Sequence, residues 1–392
     1  AEFSAMLTAR LLSGTVAGQL VTDDVKECIR ELRTTVARQL QVPRFKVRLC
    51  AGETWVKDDV LWMQLGSPLD LTAICVEFQE LVPHHDLELV SAVKNNDVLQ
   101  AEELLGQGQR PDVIDSSGSS ALCGACKEGH EEMVRLLLDA SADVGGQRED
   151  NSTALHAAAH HQGTECVREL LAHRCEVNAQ DIRFRSALHA AAGRDAEEVV
   201  ELLLSAAASP TLLDSRGQSP LHMAGPASIS KLLLARAQVD QQDLNGNTPL
   251  LTACGGSHGK TETMVLELLR ARATLGHRNR TGETALLVAS RKGHEPTVQL
   301  LVEEKMDVNC VDKDGYSPLH ASVDGCHLDC VRSLLCAKAD LTRRDHRGRH
   351  AFCAAADLGN PAVLRLLLDA GDGGLPAVLS VADLFGRSAL YA

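Results

Sequence analysis

A short motif that recurs about every 33 residues constrains the fold of this chain more than any other feature. Each copy begins with Ser, Thr or His, and has Leu or Phe at its third position. The first spacings are 33 residues, and the later ones are 29, 36, 33, 33 and 38. The nine copies begin at Ser120, Thr153, Ser186, Ser219, Thr248, Thr284, Ser317, His350 and Ser388. Such a period predicts a stack of like units rather than one globular core.

Each unit repeats the same order of local signals. A turn such as residues 214–217 precedes a Ser or Thr that can cap a helix N-terminus. Pro220, Pro249 and Pro318 then occupy a first helical position, where the missing N–H costs nothing. A short Ala-rich stretch, a break and a Leu-rich stretch such as residues 202–204 follow. The pattern predicts two short antiparallel helices per unit, with the Leu rows buried against the next unit.

On these residues the chain from residue 86 to its end resembles the ankyrin-repeat family. The resemblance implies a mainly α-helical solenoid, in which each unit is a β-turn finger followed by a helix pair. We expect an opening unit over 86–114 and further units starting near 115, 148, 181, 214, 243, 279, 312, 345 and 383, the last of them truncated. Phe184 replaces the usual turn Gly, and the unit over 214–242 has lost four residues, so its first helix should be short.

The first eighty residues follow a different pattern. We expect strands over Met6–Leu12, Gln19–Val21 and Phe45–Cys50, a last strand between Leu69 and Phe78, and one helix after Thr22. The helix should carry one apolar face, formed by Val25, Ile29, Leu32, Val36 and Leu40. Residues 6–79 resemble a small α+β ubiquitin-like β-grasp domain, with residues 1–5 a cloning remnant and residues 80–85 a linker. The chain runs on into the repeats, so the resemblance implies no conjugation. Ubiquitin's apolar patch maps onto Leu12, Cys50 and Thr72.

Charge and cysteine content narrow the classes of partner. The chain has 39 Lys and Arg against 53 Asp and Glu, a net charge of −14. Nucleic-acid binding needs cations to neutralise phosphates, so this balance argues against it. No stretch reaches the roughly 18 apolar residues of a membrane helix. The 13 cysteines are an odd number without a framework spacing, which favours free thiols and a cytoplasmic or nuclear protein.

One segment looks like a phosphate-binding loop. Residues 255–261 read Gly-Gly-Ser-His-Gly-Lys-Thr, but Cys254 stands where that motif needs its first Gly, and no βαβ unit surrounds it. The segment is interpreted as a loop between two repeat helices. No hydrolase, kinase or paired-acid signature occurs elsewhere. We therefore expect no enzyme and no cofactor.

Cysteine and histidine patterns offer a metal site as an alternative to a structural role. Cys123 and Cys126, with His130 four residues on, could begin a zinc site, but in register they occupy interior positions. His156 and His160 share a helix face without the Glu of zinc proteases. The recurring histidines are better explained as ring hydrogen-bond links between neighbouring finger backbones. No metal is expected.

Two asparagines suggest a covalent modification. Residues 170–178 and 301–309 resemble the ankyrin context recognised by an asparaginyl hydroxylase, which would modify Asn178 and Asn309. The alternative is that Asn stands there because it tolerates the left-handed turn conformation. An unchanged mass for both asparagines in native protein would dismiss the modification.

The resemblance places partner binding on the fingers and inner helices, at their non-consensus side chains. The candidate contact residues are Ile182, Arg183, Phe184, Arg185, Arg216, Gln218, Leu244, Asn247, Arg280, Glu283, Lys313, Tyr316, His346, Arg347 and Arg349. With Arg343 and Arg344 they form a local positive strip in an acidic chain, and arginine with aromatics is typical of interface hot spots. We expect an acidic protein segment as ligand. The alternative is that these charges only keep the surface soluble.

The whole sequence therefore predicts a non-catalytic adaptor or scaffold that is monomeric on its own. One alternative is a ubiquitin- or proteasome-pathway adaptor acting through residues 6–79. Another is the regulatory arm of an enzyme whose catalytic domain would lie beyond Ala392.

Overall fold

A computed structural model of the chain describes five strands within residues 5–75 and the helical region over residues 86–256 and 261–370. The backbone divides into two compact units, residues 1–176 and residues 177–392.

The first unit opens with a five-stranded sheet. Its strands are β1 (Ala5–Leu11), β2 (Val16–Thr22), β3 (Val47–Ala51), β4 (Thr54–Trp55) and β5 (Leu69–Cys75). Their order across the sheet is β2-β1-β5-β3-β4, with β1 parallel to β5 and every other pair antiparallel. The sequence pattern located four of these strands and missed β4, which has only two residues. The helix expected after Thr22 lies outside the described residues.

Three helix pairs complete the first unit. They are α1 (Asp86–Lys94) with α2 (Val98–Gly106), α3 (Ala121–Glu128) with α4 (Glu131–Asp139), and α5 (Ala154–His160) with α6 (Thr164–Ala172). Each helix packs on its partner in the pair and on the matching helix of the next pair. Leu89, Leu105 and Leu137 are fully buried between them.

Six helix pairs form the described part of the second unit. They are α7 (Ala187–Gly193) with α8 (Glu197–Ser205), α9 (Pro220–Met223) with α10 (Pro226–Leu234), α11 (Pro249–Cys254) with α12 (Thr261–Arg270), α13 (Ala285–Lys292) with α14 (Glu295–Glu303), α15 (Pro318–Asp324) with α16 (Leu328–Cys336), and α17 (Ala351–Asp357) with α18 (Pro361–Ala370). Ala191, Ala192 and Leu203 have no exposed surface, so small side chains let the helices approach closely. The unit predicted from residue 383 lies outside the described residues.

The shortened repeat of the second unit has its own helix cap. Helix α9 has only four residues, as the missing residues predict. The following helix α10 is capped from the preceding repeat, because Asp195 Oδ1 accepts the backbone N–H groups of Ala227 at 2.9 Å and Ser228 at 3.0 Å. A Cβ on Gly225 would lie 2.3 Å from Asp195 Cγ, so this approach requires glycine.

The longest helices in the described part of the chain have ten residues. A membrane-spanning helix needs about 20. Among the described residues, none of the helices is therefore long and apolar enough to cross a bilayer.

Candidate functional site

Six turns of the second unit share one construction. We call them fingers 1 to 6, and they begin at Asp181, Asp214, Asp243, Asn279, Asp312 and Asp345. In every finger the Oδ1 atom of this first residue accepts the backbone N–H groups of the residues two and four positions later, at 2.8–3.0 Å. Its own N–H donates to the carbonyl of the residue four positions later. Each finger is therefore a closed two-armed turn.

Backbone hydrogen bonds join each finger to the next. The residue that follows the first residue of a finger donates its N–H to the tip of the preceding finger. The five bonds run from Ser215 to Arg183 at 2.8 Å, from Leu244 to Arg216 at 2.9 Å, from Arg280 to Asn245 at 2.9 Å, from Lys313 to Thr281 at 3.0 Å, and from His346 to Asp314 at 2.9 Å. We call this hydrogen-bonded series of six fingers the fingertip row.

Three buried histidines tie the fingers together at their bases. The Nε2 atoms of His189, His222 and His320 donate to the carbonyls of Gln218, Asn247 and Arg349 at 3.1, 3.1 and 3.2 Å. Each Nδ1 atom accepts the backbone N–H of the Ser that caps the same helix. For these three histidines, the bonds confirm the predicted link between neighbouring finger backbones.

These histidines predict a pH dependence of stability. Burial lowers the pKa of His189, His222 and His320 below the usual 6.5. Below about pH 6.5 the unfolded chain takes up protons that the folded chain still refuses, so stability present above that pH is lost as the pH falls through the lowered values. We expect the free energy of unfolding to fall between about pH 7 and about pH 5, by up to about 1.4 kcal/mol per pH unit for each ring. Urea denaturation at a series of pH values measures this fall.

The control for this prediction is the triple variant His189→Gln, His222→Gln and His320→Gln. Its stability is lower at every pH, but the slope between about pH 7 and about pH 5 should be flatter. An unchanged slope would contradict the assignment.

Glycines at the fingertips let one finger cross the next. Gly217, Gly246 and Gly282 have φ values of +74°, +77° and +84°. A Cβ on Gly282 would lie 2.9 Å from the backbone N of Lys313 and 3.2 Å from its Cγ. The side chain that opens one finger therefore lies across the glycine of the finger before it.

We predict that Gly282→Ala lowers the free energy of unfolding by about 1–3 kcal/mol, because both the positive φ and the backbone approach oppose a Cβ. Chemical denaturation measures the change. Gly276→Ala is the matched control, since nothing lies within 4 Å of a Cβ there. Equal stability of the two variants would contradict the prediction.

The structure divides the candidate contact residues into two sets. The exposed set stands at the tips of the fingers and consists of Ile182, Arg183, Phe184, Arg216, Leu244, Arg280, Lys313, His346 and Arg347. The second set closes each finger at its fifth position, is half-buried, and consists of Arg185, Gln218, Asn247, Glu283, Tyr316 and Arg349. Sequence spacing alone had not separated the two sets.

Five of the six side chains in the second set bond within the fingertip row, namely those of Arg185, Asn247, Glu283, Tyr316 and Arg349. Both Arg185 Nε and Nη2 donate to Asp181 Oδ2, at 3.0 and 2.7 Å. Arg349, only 13% exposed, donates to Asp345 Oδ2 at 3.0 Å and to Tyr316 Oη at 2.5 Å. These side chains therefore brace the fingers and do not face a partner.

Cations and apolar groups share the exposed set. Arg183, Arg216, Arg280, Lys313 and Arg347 form no ion pair with any residue that the structure describes. Arg343, beside finger 6, pairs with Asp340 at 3.6 Å, and Arg344 is exposed.

Fingers 1 and 3 add large apolar side chains to the exposed set. Ile182, Phe184 and Leu244 are 59%, 58% and 56% exposed. Leu213, 38% exposed just before finger 2, was missed in the sequence because it precedes the turn. Fingers 1 to 3 thus mix apolar and basic groups, whereas fingers 4 to 6 each carry an exposed cation.

The cysteine candidates for a zinc site lie in the core. Cys123 and Cys126 are buried in α3. Burial raises the pKa of the Cys123 thiol, and a contact with the Cys166 thiol together with burial raises the pKa of Cys126. Neither thiol favours the thiolate that zinc binds. Over the described ranges, no group of three or more His, Cys, Asp or Glu side chains could hold a metal ion. Residues 257–260 of the loop that resembles a phosphate site lie outside those ranges.

The two asparagines flagged for hydroxylation bridge successive repeats. Asn178 Oδ1 accepts the backbone N–H of Ser209 at 2.8 Å, and Asn309 Oδ1 accepts that of Asp340 at 2.8 Å. Neither asparagine has a positive φ, so the left-handed turn explanation is wrong. Hydroxylation stays a prediction.

Comparison with family models shows what the repeats are similar to. The family model described as ankyrin repeats (3 copies) matches overlapping stretches over residues 89–181, 162–234, 188–261, 224–309 and 257–345. Together these stretches run from residue 89 to residue 345, so they include the helix pairs of the first unit but not its sheet, together with fingers 1 to 5 and the start of finger 6.

Proposed function

Since the chain belongs to the ankyrin-repeat family, whose repeats indicate a role in protein–protein interaction, we propose that it is a non-catalytic adaptor. It holds a partner protein on the fingertip row of its second unit. The partner contributes an acidic segment, which lies against the exposed cations of the row.

The observation that carries this proposal is the placement of the exposed cations. Arg183, Arg216, Arg280, Lys313 and Arg347 stand on one backbone-bonded row in a chain whose net charge is −14. A charge pattern opposite to that of the whole chain favours an acidic ligand at this surface over self-association. Because hydrogen bonds hold the fingers in place, little ordering entropy would oppose binding.

A reducing compartment fits the same proposal. The ten cysteines within the described residues are all free. Free thiols are typical of cytoplasmic and nuclear proteins. We propose that the adaptor works in one of these compartments.

Affinity capture with three versions of the whole chain tests the proposal. The test variant carries Arg183→Glu, Arg216→Glu and Arg347→Glu, and should lose the partner captured by the unchanged chain. The control variant carries Arg236→Glu, Arg272→Glu and Arg332→Glu. These three arginines are exposed in the same unit but lie outside the fingers. The control makes the same change in net charge and should retain the partner. Equal capture by both variants would remove the fingertip row from the proposal.

A second candidate function concerns the sheet of the first unit. We propose that residues 6–79 are a ubiquitin-like module that connects the adaptor to ubiquitin receptors. The strand order β2-β1-β5-β3-β4, with β1 parallel to β5, supports this proposal. The test is binding of the full chain to an immobilised ubiquitin-receptor domain, with a chain that lacks residues 1–85 as control. No difference between the two would contradict it.

A further inference from the structure

We propose that the ligand of the fingertip row is an extended peptide with an apolar anchor residue near one end and acidic residues at every third position beyond it. The anchor lies on either the N-terminal or the C-terminal side of the acidic residues. This inference rests on the proposed function and specifies its partner chemistry. It follows from the spacing of the fingers, the order of their charges and the conformation of finger 1.

The spacing comes from the backbone of the fingertip row. Each finger has two arms closed by a backbone hydrogen bond, and each tip bonds to the next finger at 2.8–3.0 Å. Hydrogen-bonded strands lie about 4.8 Å apart, so equivalent positions on successive fingers are separated by about 10 Å. An extended peptide advances about 3.3 Å per residue. A peptide that runs along the row therefore meets a new finger about every third residue.

The charges on fingers 4 to 6 follow this interval. Arg280, Lys313 and Arg347 supply an exposed cation on each of these three fingers. The acidic first residues of fingers 5 and 6 are held by their own turns, since Asp312 and Asp345 accept two backbone N–H groups each, whereas Asp314 is exposed beside Lys313 on finger 5. Acidic side chains three residues apart would each meet one cation. A contiguous acidic block would crowd its charges onto a single finger.

Finger 1 presents an aromatic ring where the other fingers have glycine. Phe184 has a φ of +57°, an unusual conformation for a bulky residue, and is 58% exposed. At fingers 2 to 5 the glycine in this position lies under the second residue of the following finger, such as Leu244 over Gly217. At finger 1 the crossing residue is Ser215, the smallest side chain among these positions.

The pairing of Phe184 with Ser215 leaves the aromatic ring uncovered. With Ile182 on the same finger, it forms an exposed apolar group at one end of the row, and Leu244 adds a second exposed apolar side chain two fingers further along. Aromatic side chains that fill a contact site dominate many protein interfaces. This end of the row therefore takes the apolar anchor of the ligand, and the basic end takes its acidic residues.

Fluorescence anisotropy with labelled synthetic peptides and the full chain tests the inference. The probe has about fifteen residues, with Trp and Leu near one end and three Glu at every third position, the remainder being Ser and Gly. The matched peptide has the same composition with its three Glu contiguous, and both are made in the reversed order as well. We expect the spaced peptide, in one order, to bind about two- to thirtyfold more tightly, since two of its three exposed ion pairs are lost in the contiguous form.

Two variants assign the contacts. Arg280→Glu, Lys313→Glu and Arg347→Glu together should abolish the preference for the spaced peptide. Phe184→Gly should weaken binding of the spaced peptide by about tenfold while leaving the preference for spaced over contiguous acids intact. The glycine relieves the positive φ, so loss of folding does not account for its weaker binding.

The outcomes separate this inference from the proposed function. Equal affinity for the spaced and contiguous peptides overturns the inference. The inference is also overturned if heparin displaces the labelled spaced peptide as well as the unlabelled spaced peptide does, since that would indicate binding of any polyanion. If neither peptide binds while protein capture still depends on Arg183, Arg216 and Arg347, the inference fails and the proposed function stands. If capture does not depend on those residues, the proposed function itself fails.

Discussion

Replacing Leu203 by Ala is expected to lower the free energy of unfolding of the second unit by about 2–5 kcal/mol. Leu203 lies on α8 with no exposed surface, where the helix packs on α7 and α10. The substitution removes buried methyl groups and leaves a cavity that close-packed neighbours fill only in part. Urea denaturation followed by circular dichroism measures the loss.

Leu234→Ala is the matched control for this first prediction. The substitution is the same, but Leu234 is 82% exposed at the end of α10, so the change should stay within about 0.5 kcal/mol. Repeats contact only their neighbours, so hydrogen exchange in Leu203→Ala should quicken around α7 to α10 and stay unchanged at α17 and α18. Equal losses for Leu203→Ala and Leu234→Ala would contradict the burial argument.

Asp345→Ala is expected to cost about 3–5 kcal/mol. Asp345 Oδ1 accepts the N–H groups of Arg347 and Arg349, and Oδ2 pairs with the Arg349 guanidinium at 2.9 Å. The Asp345 side chain is 1% exposed and the Arg349 side chain 13% exposed. Removing the carboxylate takes away the nearest ion-pair partner of the largely buried Arg349, whose other carboxylate, Asp357, lies at 3.9 Å, and leaves two N–H groups without their acceptor. Burying groups with weakened or missing partners is costly. The midpoint of denaturation and amide exchange at finger 6 are the measurements.

Asp314→Ala supplies the comparison for this second prediction. Asp314 is exposed at the tip of the adjacent finger 5. Its backbone carbonyl, not its carboxylate, accepts the hydrogen bond from the backbone N–H of His346 that joins fingers 5 and 6. Its removal should change stability by no more than about 0.5 kcal/mol. A loss at Asp345 no larger than that at Asp314 would show that the buried pair contributes little.

The repeating architecture could be predicted because its causes are local and recur. Capping Ser and Thr residues, the first-position prolines and the buried Leu rows act within one unit, so their spacing in the sequence reports the helix pairs directly. The histidine links were predictable for the same reason, as a ring at a fixed place in each unit faces the same backbone each time. The two-residue strand β4 was missed because so short a segment has no periodicity.

From the sequence, the contact residues could be predicted only as one undivided set of finger residues. Sequence spacing identified Arg185 and Arg349 beside Arg183 and Arg347, without showing which side chain of each finger turns inward. The answer depends on which carboxylate oxygen is free after the backbone N–H groups are satisfied. In fingers 1 and 6 that oxygen takes the arginine at the fifth position.

Hydrogen bonds between repeats could not be predicted from the sequence either. Asp195 caps α10 across 32 and 33 residues of sequence, and Asn178 accepts a hydrogen bond from a residue 31 positions later. No local propensity distinguishes an Asp or Asn that closes its own turn from one that reaches the next repeat. By itself the sequence determined the unit, its period and its caps, which are interactions within a few residues. Only the tertiary structure decided which polar groups bond between one unit and the next, and therefore which fingertip charges remain exposed to a partner. The reason is that these bonds depend on distances between residues of different units, which are set by stacking.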